Sequence, residues 1–250
     1  MTGILEGKRA LLTGAHRGIG RAVAEAFVAA GARVVIADIE GADKAALEIG
    51  HDTVGVTCDV RSGDSVAAAV AEGTRALGGL DVLVNNAGAE TFGLLHDMTE
   101  EQFDQMYSVN LRGTWLVYKH AVPALTDGGA IVNIASLAGV VGFPLIGGYA
   151  AAKAGVVRMT EVMALELRDH GVRANAVCPG FIDTPMVERT FTDLPVIAGT
   201  PLKDMILRGQ GRLGTPGEVA SLVTYLASEG ASFVNGTAIT IDGGMNVHRV

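Results

Sequence analysis

Short apolar runs rich in β-branched residues alternate with longer helical patterns along almost the whole chain. Seven runs have the length and composition of strands: Arg9–Leu12, Arg33–Ala37, Val54–Cys58, Asp81–Val84, Ala130–Ala135, Val172–Val177 and Ala238–Ile241. Most are apolar at successive positions, which is typical of strands covered on both faces. Helical periodicity predicts helices at about Ile19–Ala30, Ser62–Leu77, Glu100–Leu125, Tyr149–His170 and Gly217–Ser228. This alternation predicts an α/β fold with a doubly wound, seven-stranded, mostly parallel sheet and helices on both faces.

The composition fits one large domain spanning residues 1–250. About half of the residues are hydrophobic, few are aromatic and 34 are glycine, so Ala, Val, Ile and Leu must form the core and tight turns must be frequent. The longest segment without a clear pattern runs from about Ile182 to Gly214. Because long irregular connections in compact domains are commonly functional, we predict a substrate-binding lid there, with a loop of no function as the alternative.

Charge and composition argue against several function classes. The net charge of −8 argues against a nucleic-acid partner, and no basic amphipathic stretch indicates a membrane partner. The six histidines lack the spacing of ligands, so no metal is predicted. The N-terminus lacks the pattern of a secretory signal, and we expect Cys58 and Cys178 to be reduced core thiols of a cytoplasmic protein rather than a disulfide.

A glycine-rich turn follows the first predicted strand and precedes the first helix. Gly14, Gly18 and Gly20 allow backbone N–H groups to approach a pyrophosphate there, although their G-x-x-x-G-x-G spacing differs from the general G-x-G-x-x-G pattern. Asp38 ends the second strand, where a carboxylate can accept hydrogen bonds from ribose hydroxyls and repel a 2′-phosphate. NAD is therefore predicted in preference to NADP. Arg17 is the contrary signal, because its guanidinium can pair with that phosphate; a solvated acid or a helix cap is the alternative for Asp38.

Two further polar segments end predicted strands. Asp59 follows the third strand, where it either caps the next turn or contacts the adenine amino group. The segment Asn85–Gly88 ends the fourth strand, at the edge where such sheets bind ligands. Adjacent asparagines can also fix neighbouring backbone, so a binding role and a structural role both remain open.

A proton donor is predicted farther along the chain. Tyr149 and Lys153 are four residues apart on one helix face, and we expect the ammonium to lower the pKa of the phenol for proton transfer with an alcohol or carbonyl oxygen. Ser136 ends the preceding strand and can hydrogen-bond the same oxygen. Asn110, inside a predicted helix, can hold a water molecule that links Lys153 to solvent. The ordinary alternatives are an amphipathic pair, a turn serine and a satisfied buried amide.

The ordered set of these motifs resembles the short-chain dehydrogenase/reductase family over essentially the whole chain. The matching segments are Thr13–Gly20, Asp59, Asn85–Gly88, Asn110, Ser136, Tyr149–Lys153, Pro179–Gly180 with Thr184, and Asp242–Gly244. The resemblance implies a Rossmann-type fold and a tetrad in which Tyr149 is the acid/base and Lys153 also binds the nicotinamide ribose; its members are Asn110, Ser136, Tyr149 and Lys153. Together with the arguments above, it predicts the cofactor-binding residues Gly14, Arg17, Gly18, Ile19, Gly20, Asp38, Asp59, Val60, Asn86, Ala87, Gly88, Tyr149, Lys153, Pro179, Gly180, Ile182 and Thr184.

These observations predict an NAD(H)-dependent oxidoreductase that interconverts a secondary alcohol or polyol and its ketone. The alternatives are an NADPH-dependent 3-oxoacyl-thioester reductase that uses Arg17, and a non-catalytic dinucleotide-binding sensor or scaffold. The predicted helix Tyr149–His170 is apolar on nearly every face and needs a second cover. A subunit interface would provide that cover, and the family resemblance implies a homotetramer.

Overall fold

Seven strands pair side by side in one sheet, and two short strands pair separately. The computed structural model describes residues 3–194, 196–197 and 199–247. The strands are β1 (Arg9–Thr13), β2 (Arg33–Asp38), β3 (Val54–Thr57), β4 (Leu80–Asn85), β5 (Leu125–Ile134), β6 (Arg173–Pro179), β7 (Val196–Ile197), β8 (Thr200–Pro201) and β9 (Ala238–Ile241). The sheet order is β3-β2-β1-β4-β5-β6-β9, and every neighbouring pair is parallel. The predicted seven-stranded sheet is therefore confirmed, while the antiparallel β7–β8 pair was not predicted.

The helices include three that periodicity did not reveal. They are α1 (Gly18–Ala29), α2 (Ala42–Ile49), α3 (Gly63–Leu77), α4 (Glu100–Met106), α5 (Gly113–Ala121), α6 (Gly147–Glu166), α7 (Pro185–Asp193), α8 (Leu202–Gln210) and α9 (Pro216–Ala227). The unpredicted helices α2, α7 and α8 have only eight or nine residues, too few for a clear periodic signal. We expected the segment 182–214 to be irregular, but it contains α7, α8 and the β7–β8 pair. Positions 195 and 198 within it lie outside the described residues.

Two apolar layers cover the sheet, one on each face. On one face, α1 and α9 pack through Val23, Phe27, Val219 and Val223. On the other, α3, α5 and α6 pack through Val66, Val70, Leu116, Val117 and Met163. Because both faces are covered, strand β2 is buried at five successive positions. The doubly wound, Rossmann-type arrangement is confirmed. Among the residues described, no helix combines the length and the apolar character needed to cross a bilayer.

The predicted helix Glu100–Leu125 is interrupted near its middle. Helix α4 ends at Met106, a π-helical turn covers Tyr107–Arg112, and α5 begins at Gly113. Such turns are rare and occur frequently at functional sites. The interruption lies where the Asn110 side chain bonds both the Met106 carbonyl oxygen, at 3.1 Å, and the Ala89 backbone beyond β4.

The strand order reverses beside β1, which has β2 on one side and β4 on the other. Chain connections leave β1 and β4 in opposite directions at this point, and a crevice opens beyond the carboxyl ends of the strands. Each predicted site segment follows one of these strand ends or lies on a helix that faces them. The fold therefore provides a single location for the predicted site.

Candidate active site

A cavity of about 490 Å³ lies at the carboxyl edge of the sheet. Segments that follow β1, β2, β3, β4, β5 and β6 line it, together with parts of α6, α7 and α8. Every predicted catalytic and cofactor-binding residue lines this cavity except Gly20 and Asn110. Residues that sequence reasoning placed together from separate motifs are thus neighbours in the structure.

The glycine turn is held against the end of β4. Gly14 and Gly18 have φ angles of +64° and +59°, in the left-handed region that favours glycine. A Cβ atom on Gly14 would lie 2.5 Å from the Ala87 Cα, and one on Gly20 would lie 2.4 Å from the Gly14 carbonyl oxygen. The Asn86 Nδ2 group donates a hydrogen bond to that oxygen at 2.6 Å. Gly20 therefore allows the turn to close, and Asn86 fixes backbone as well as lining the cavity.

The N-terminus of α1 has no side-chain cap and no acidic residue in its first turn. Its free N–H groups face the glycine turn, where an anion would complete their hydrogen bonding. The turn therefore fits the diphosphate of a dinucleotide.

Asp38 is buried beside this turn and is held by His16. Its Oδ2 atom accepts a hydrogen bond from the His16 backbone N–H at 3.1 Å and lies 2.8 Å from the His16 ring Nδ1. The side chain is only 6% exposed, so the alternative of a solvated acid is wrong. Arg17 is exposed and lines the same cavity. The cavity is therefore lined by both the Asp38 carboxylate and the Arg17 guanidinium.

Asp59 is paired with Arg61. The Arg61 Nη2 atom lies 2.7 Å from the Asp59 Oδ2, and the Arg61 backbone N–H donates to Oδ1 at 2.9 Å. This pairing holds the pKa of Asp59 below its usual range. Of the two roles left open, capping the turn is the one that the hydrogen bonds show.

Ser136, Tyr149 and Lys153 meet where β5 ends beside α6. Ser136 caps the short turn after β5, and its Oγ accepts a hydrogen bond from the Ala138 N–H at 3.1 Å. The Lys153 Nζ donates to the Ile134 carbonyl oxygen at 2.8 Å and lies 5.7 Å from the centre of the Tyr149 ring. Burial lowers the pKa of Lys153 to about 8. All three side chains line the cavity, so a proton donor, a hydroxyl and an amine face one space.

The pKa of Tyr149 corrects one expectation. We expected Lys153 to lower it, but burial raises the pKa of Tyr149 to about 12. The adjacent Ser136 side chain opposes this increase, while the negative charges of Glu90 and Cys178 add to it. The phenol is therefore protonated at neutral pH, in the form that donates a proton.

Asn110 is fully buried behind the cavity rather than on its wall. Its amide donates to the Ala89 carbonyl oxygen at 2.9 Å and accepts from the Ala89 N–H at 3.2 Å. The side chain thus matches the satisfied buried amide named above as the ordinary alternative. It fastens the π-helical turn to the segment after β4, and its role in a water relay stays a prediction.

A buried polar chain that sequence reasoning missed aligns the elements of the site. Asn85 of β4 donates to Asn133 of β5 at 2.8 Å, and Asn133 donates to Thr160 of α6 at 2.8 Å. The available signal was Asn133, a polar residue within an apolar strand. These bonds fix β4, β5 and α6 relative to one another, and the same three elements carry the segments with Gly88, Ser136 and Tyr149.

Glu90 is a second feature that the motifs did not single out. It lines the cavity two residues after Gly88, and its Oε1 atom accepts a hydrogen bond from Thr190 of α7 at 3.2 Å. Burial raises the pKa of Glu90 to about 7. The surrounding wall is mostly apolar and includes Phe92, Phe143, Phe181, Ile146, Leu202 and Met205.

Known proteins resemble this chain over nearly its full length. A family model described as enoyl-(acyl carrier protein) reductase matches residues 14–246. A 2,5-dichloro-2,5-cyclohexadiene-1,4-diol dehydrogenase from Sphingobium indicum is 39% identical over 96% of this chain and 97% of its own. A 3-oxoacyl-(acyl-carrier-protein) reductase from Thermotoga maritima is 41% identical over 96% of this chain and 98% of its own. The crystal structure of a short-chain type dehydrogenase/reductase from Mycobacterium marinum has 37% sequence identity, covers 96% of both chains and gives a TM-score of 0.88.

Proposed function

The chain belongs to the short-chain dehydrogenase/reductase family, and we propose that it is an NAD(H)-dependent oxidoreductase interconverting a secondary alcohol or polyol and its ketone. One observation carries this proposal: Ser136, Tyr149 and Lys153 line the same cavity as the glycine turn and Asp38. A dinucleotide held by that turn and by Asp38 would have its far end directed along the cavity toward Tyr149.

The chain's own residues supply the proton chemistry. A bound nicotinamide dinucleotide supplies or accepts the hydride at the reacting carbon. In reduction, Tyr149 donates its phenolic proton to the carbonyl oxygen, and Ser136 donates a hydrogen bond to the same oxygen as negative charge develops. In oxidation the phenolate accepts the hydroxyl proton of the alcohol, and the Lys153 ammonium together with the positive charge of a bound oxidised nicotinamide would favour this phenolate over the phenol of the cofactor-free site. Lys153, with a pKa of about 8, carries positive charge near neutral pH and stabilises the phenolate between turnovers.

The preference for NAD rests on Asp38. Its carboxylate is buried and fixed by His16, and both described hydrogen bonds use Oδ2, so Oδ1 is the acceptor that remains for a ribose hydroxyl. A 2′-phosphate at this place would be repelled by the negative charge. The relative from Sphingobium indicum, named as a diol dehydrogenase, supports a hydroxylated substrate.

A second candidate is an NADPH-dependent 3-oxoacyl-thioester reductase. Arg17 lines the cavity next to Asp38, and the Thermotoga maritima relative is named as a 3-oxoacyl-(acyl-carrier-protein) reductase. A guanidinium there can pair with a 2′-phosphate. A rival of another class is a non-catalytic dinucleotide-binding sensor; the presence of Ser136, Tyr149 and Lys153 together favours the enzyme.

The test is an absorbance assay of cofactor oxidation or reduction. Sugars, polyols, cyclic alcohols, hydroxy acids and acyl thioesters are each assayed with both cofactors, and the affinities for NADH and NADPH are measured by protein-fluorescence titration. We expect turnover of secondary alcohols or polyols with NAD and tighter binding of NADH. Tighter NADPH binding with thioester reduction would favour the second candidate, whereas dinucleotide binding without any turnover would favour the sensor.

We also propose that α7 and α8 act as the lid of this cavity and that the chain is a homotetramer. Thr184, Met186, Leu202 and Met205 of this segment line the cavity, which supports a substrate-facing role. Helix α6 buries one face on the sheet, and its opposite face exposes Leu165.

Exposed apolar side chains also lie on the helices that precede α6. Large apolar side chains of α4, the π-helical turn, α5 and α6 are at least two-fifths exposed: Phe103, Tyr107, Trp115, Val162 and Leu165. Helix α6 packs against α4 and against the π-helical turn, and exposed large apolar side chains on packed helices are characteristic of protein–protein contacts, which supports self-association through α4, α5 and α6.

A further inference from the structure

Glu90 places a carboxyl group in the cavity between Tyr149 and helix α7. The side chain is half-buried, and its Oε1 atom accepts the Thr190 hydroxyl at 3.2 Å. Among the described residues, this is the hydrogen bond that the Glu90 side chain makes, and it uses Oε1. Because Glu90 lines the cavity, Oε2 remains as an acceptor for a molecule bound there.

The charged residues that affect the pKa of Glu90 lie on α7. Burial raises the pKa of Glu90 to about 7, Thr190 and Arg189 oppose the increase, and Asp193 adds to it. The Glu90 charge in turn raises the pKa of Tyr149. Glu90 is therefore within electrostatic reach of the proton donor but separate from Ser136, Tyr149 and Lys153.

The surroundings of Glu90 define the group that it would bind. The wall of the same cavity contains Phe92, Phe143 and Met186, and a carboxylate in a largely apolar cavity is unfavourable unless a donor pairs with it. Arg189 lines the same cavity, and its positive charge disfavours a second cation. A neutral donor, a hydroxyl group, is the remaining partner that suits both the apolar wall and the charges.

We infer that Glu90 is a specificity-determining residue that accepts a hydrogen bond from a second hydroxyl group of the substrate and so selects diols and polyols over alcohols with one hydroxyl. This inference rests on the proposed alcohol oxidation. The reacting hydroxyl is bound by Tyr149 and Ser136, and the second hydroxyl lies toward α7. Alcohols without that second hydroxyl would leave the carboxylate without its ligand, which discriminates against them.

The experiment compares matched pairs of substrates. The kcat/KM values for cis-cyclohexane-1,2-diol and cyclohexanol, and for butane-2,3-diol and butan-2-ol, are measured with NAD for the wild type and for Glu90→Leu and Glu90→Gln. We expect the ratio of diol to mono-alcohol to fall by about 10- to 100-fold in Glu90→Leu, the size expected for loss of a hydrogen bond to a charged group. Glu90→Gln, which keeps an acceptor oxygen without the charge, should lose less.

Thr190→Val is the matched control. It removes the hydrogen bond between Glu90 and α7 but keeps the carboxylate, so it separates a contact with substrate from a latch that holds the lid. We expect the diol ratio of Thr190→Val to remain within a few-fold of the wild type. A ratio that falls as far as in Glu90→Leu would overturn the inference in favour of the latch.

Other results would also count against the inference. It fails if Glu90→Leu lowers kcat/KM equally for both members of a pair, or if the wild type prefers mono-alcohols. In both cases the proposed alcohol oxidation still stands. If the wild type turns over no secondary alcohol, polyol or matching ketone, either in these pairs or in the wider panel above, the proposed function fails and the inference fails with it.

Discussion

The Lys153 Nζ donates a hydrogen bond to the Ile134 carbonyl oxygen at 2.8 Å, at the end of β5. This bond fixes the amine on α6, one helical turn from Tyr149, against the strand that leads to Ser136. The bond also gives a hydrogen-bond donor to a carbonyl oxygen in the buried end of the strand. Lys153 is therefore part of the framework of the site as well as a positive charge within it.

The variant Tyr149→Phe should lose turnover and keep dinucleotide affinity. It removes the proton donor and leaves the ring, so kcat should fall by about 10²- to 10⁴-fold, the usual contribution of positioned acid–base catalysis. Tyr118→Phe is the control, because the Tyr118 hydroxyl donates a hydrogen bond to the Glu166 carboxylate and Tyr118 does not line the cavity. Steady-state kinetics and fluorescence titration measure both effects, and normal turnover in Tyr149→Phe would remove this residue from the mechanism.

Replacing Asp38 should change the cofactor preference. In Asp38→Ala, the affinity for NADPH relative to NADH should rise by about 10- to 100-fold, because a like charge beside the 2′-phosphate is removed. Asp59→Asn is the control, because Arg61 already occupies its carboxylate. An unchanged affinity ratio in Asp38→Ala would show that another group discriminates between the cofactors.

A pair of glycine variants separates backbone strain from close contact at the glycine turn. Gly14 and Gly50 both have left-handed φ angles, +64° and +71°, but a Cβ on Gly50 would meet nothing within 4 Å. Gly50→Ala should cost about 1–3 kcal/mol of stability from strain alone, because its ψ of −151° lies in a region that glycine almost alone adopts, and should leave dinucleotide affinity unchanged. Gly14→Ala should cost more and weaken binding at least about 10-fold, because its Cβ would press on Ala87 at 2.5 Å.

Thermal unfolding and titration with NADH at one protein concentration measure both glycine variants. Equal losses of stability with unchanged affinity in both would mean that the contact with β4 does not hold the turn. The close approach to Ala87 would then have no part in binding.

Glu90→Gln should stabilise the protein at alkaline pH and not at acidic pH. The pKa of Glu90 is raised from 4.5 to about 7, so its contribution to stability is fully present below pH 4.5 and is lost as the pH rises through about 7. Above that pH the folded protein holds a half-buried charge, and the neutral amide should add roughly 1–2 kcal/mol after allowance for solvent screening.

Differences in Tm between wild type and variant, at pH values below and above this range, measure the effect. Glu188→Gln is the control: it removes the same charge from an exposed position on α7. Its difference in Tm from the wild type should depend little on pH. A constant difference for Glu90→Gln across the pH range would contradict the raised pKa.

Leu165→Glu should weaken the proposed self-association. Leu165 is 68% exposed on the outer face of α6, and a carboxylate there would be desolvated in an interface. Light scattering during size-exclusion chromatography should show a shift from a tetramer to smaller species. Leu47→Glu is the control, because Leu47 is 83% exposed on α2, away from this surface; an equal effect of both variants would argue against an interface on α6.

Periodicity and strand composition were sufficient to predict the sheet. Each of the seven predicted strands is present, because runs such as Arg33–Ala37 are apolar at successive positions and pack on both faces. Helices α2, α7 and α8 were missed because they are short, and Pro185 reads as a break although it begins α7. Proline both interrupts helices and occurs at their first position, so the sequence alone does not say which role Pro185 has.

Motif spacing and the family resemblance together predicted which residues gather in the cavity, but not their contacts. His16 pairs with Asp38, 22 positions away, and Thr190 pairs with Glu90, 100 positions away; such pairs depend on how strands and helices are placed in the fold. The raised pKa of Tyr149 was missed for a similar reason. Its distance of four residues from Lys153 is visible in the sequence, but the burial that outweighs it is not.

The chain of hydrogen bonds from Asn85 through Asn133 to Thr160 has an evolutionary consequence. Each member satisfies the next, so an apolar replacement of one leaves a neighbour with an unmet polar group in the core. Divergence at these three positions therefore requires compensating changes together, whereas the wall formed by α7 and α8 can vary one residue at a time. New substrates can be acquired through that wall while the machinery for proton transfer is inherited intact.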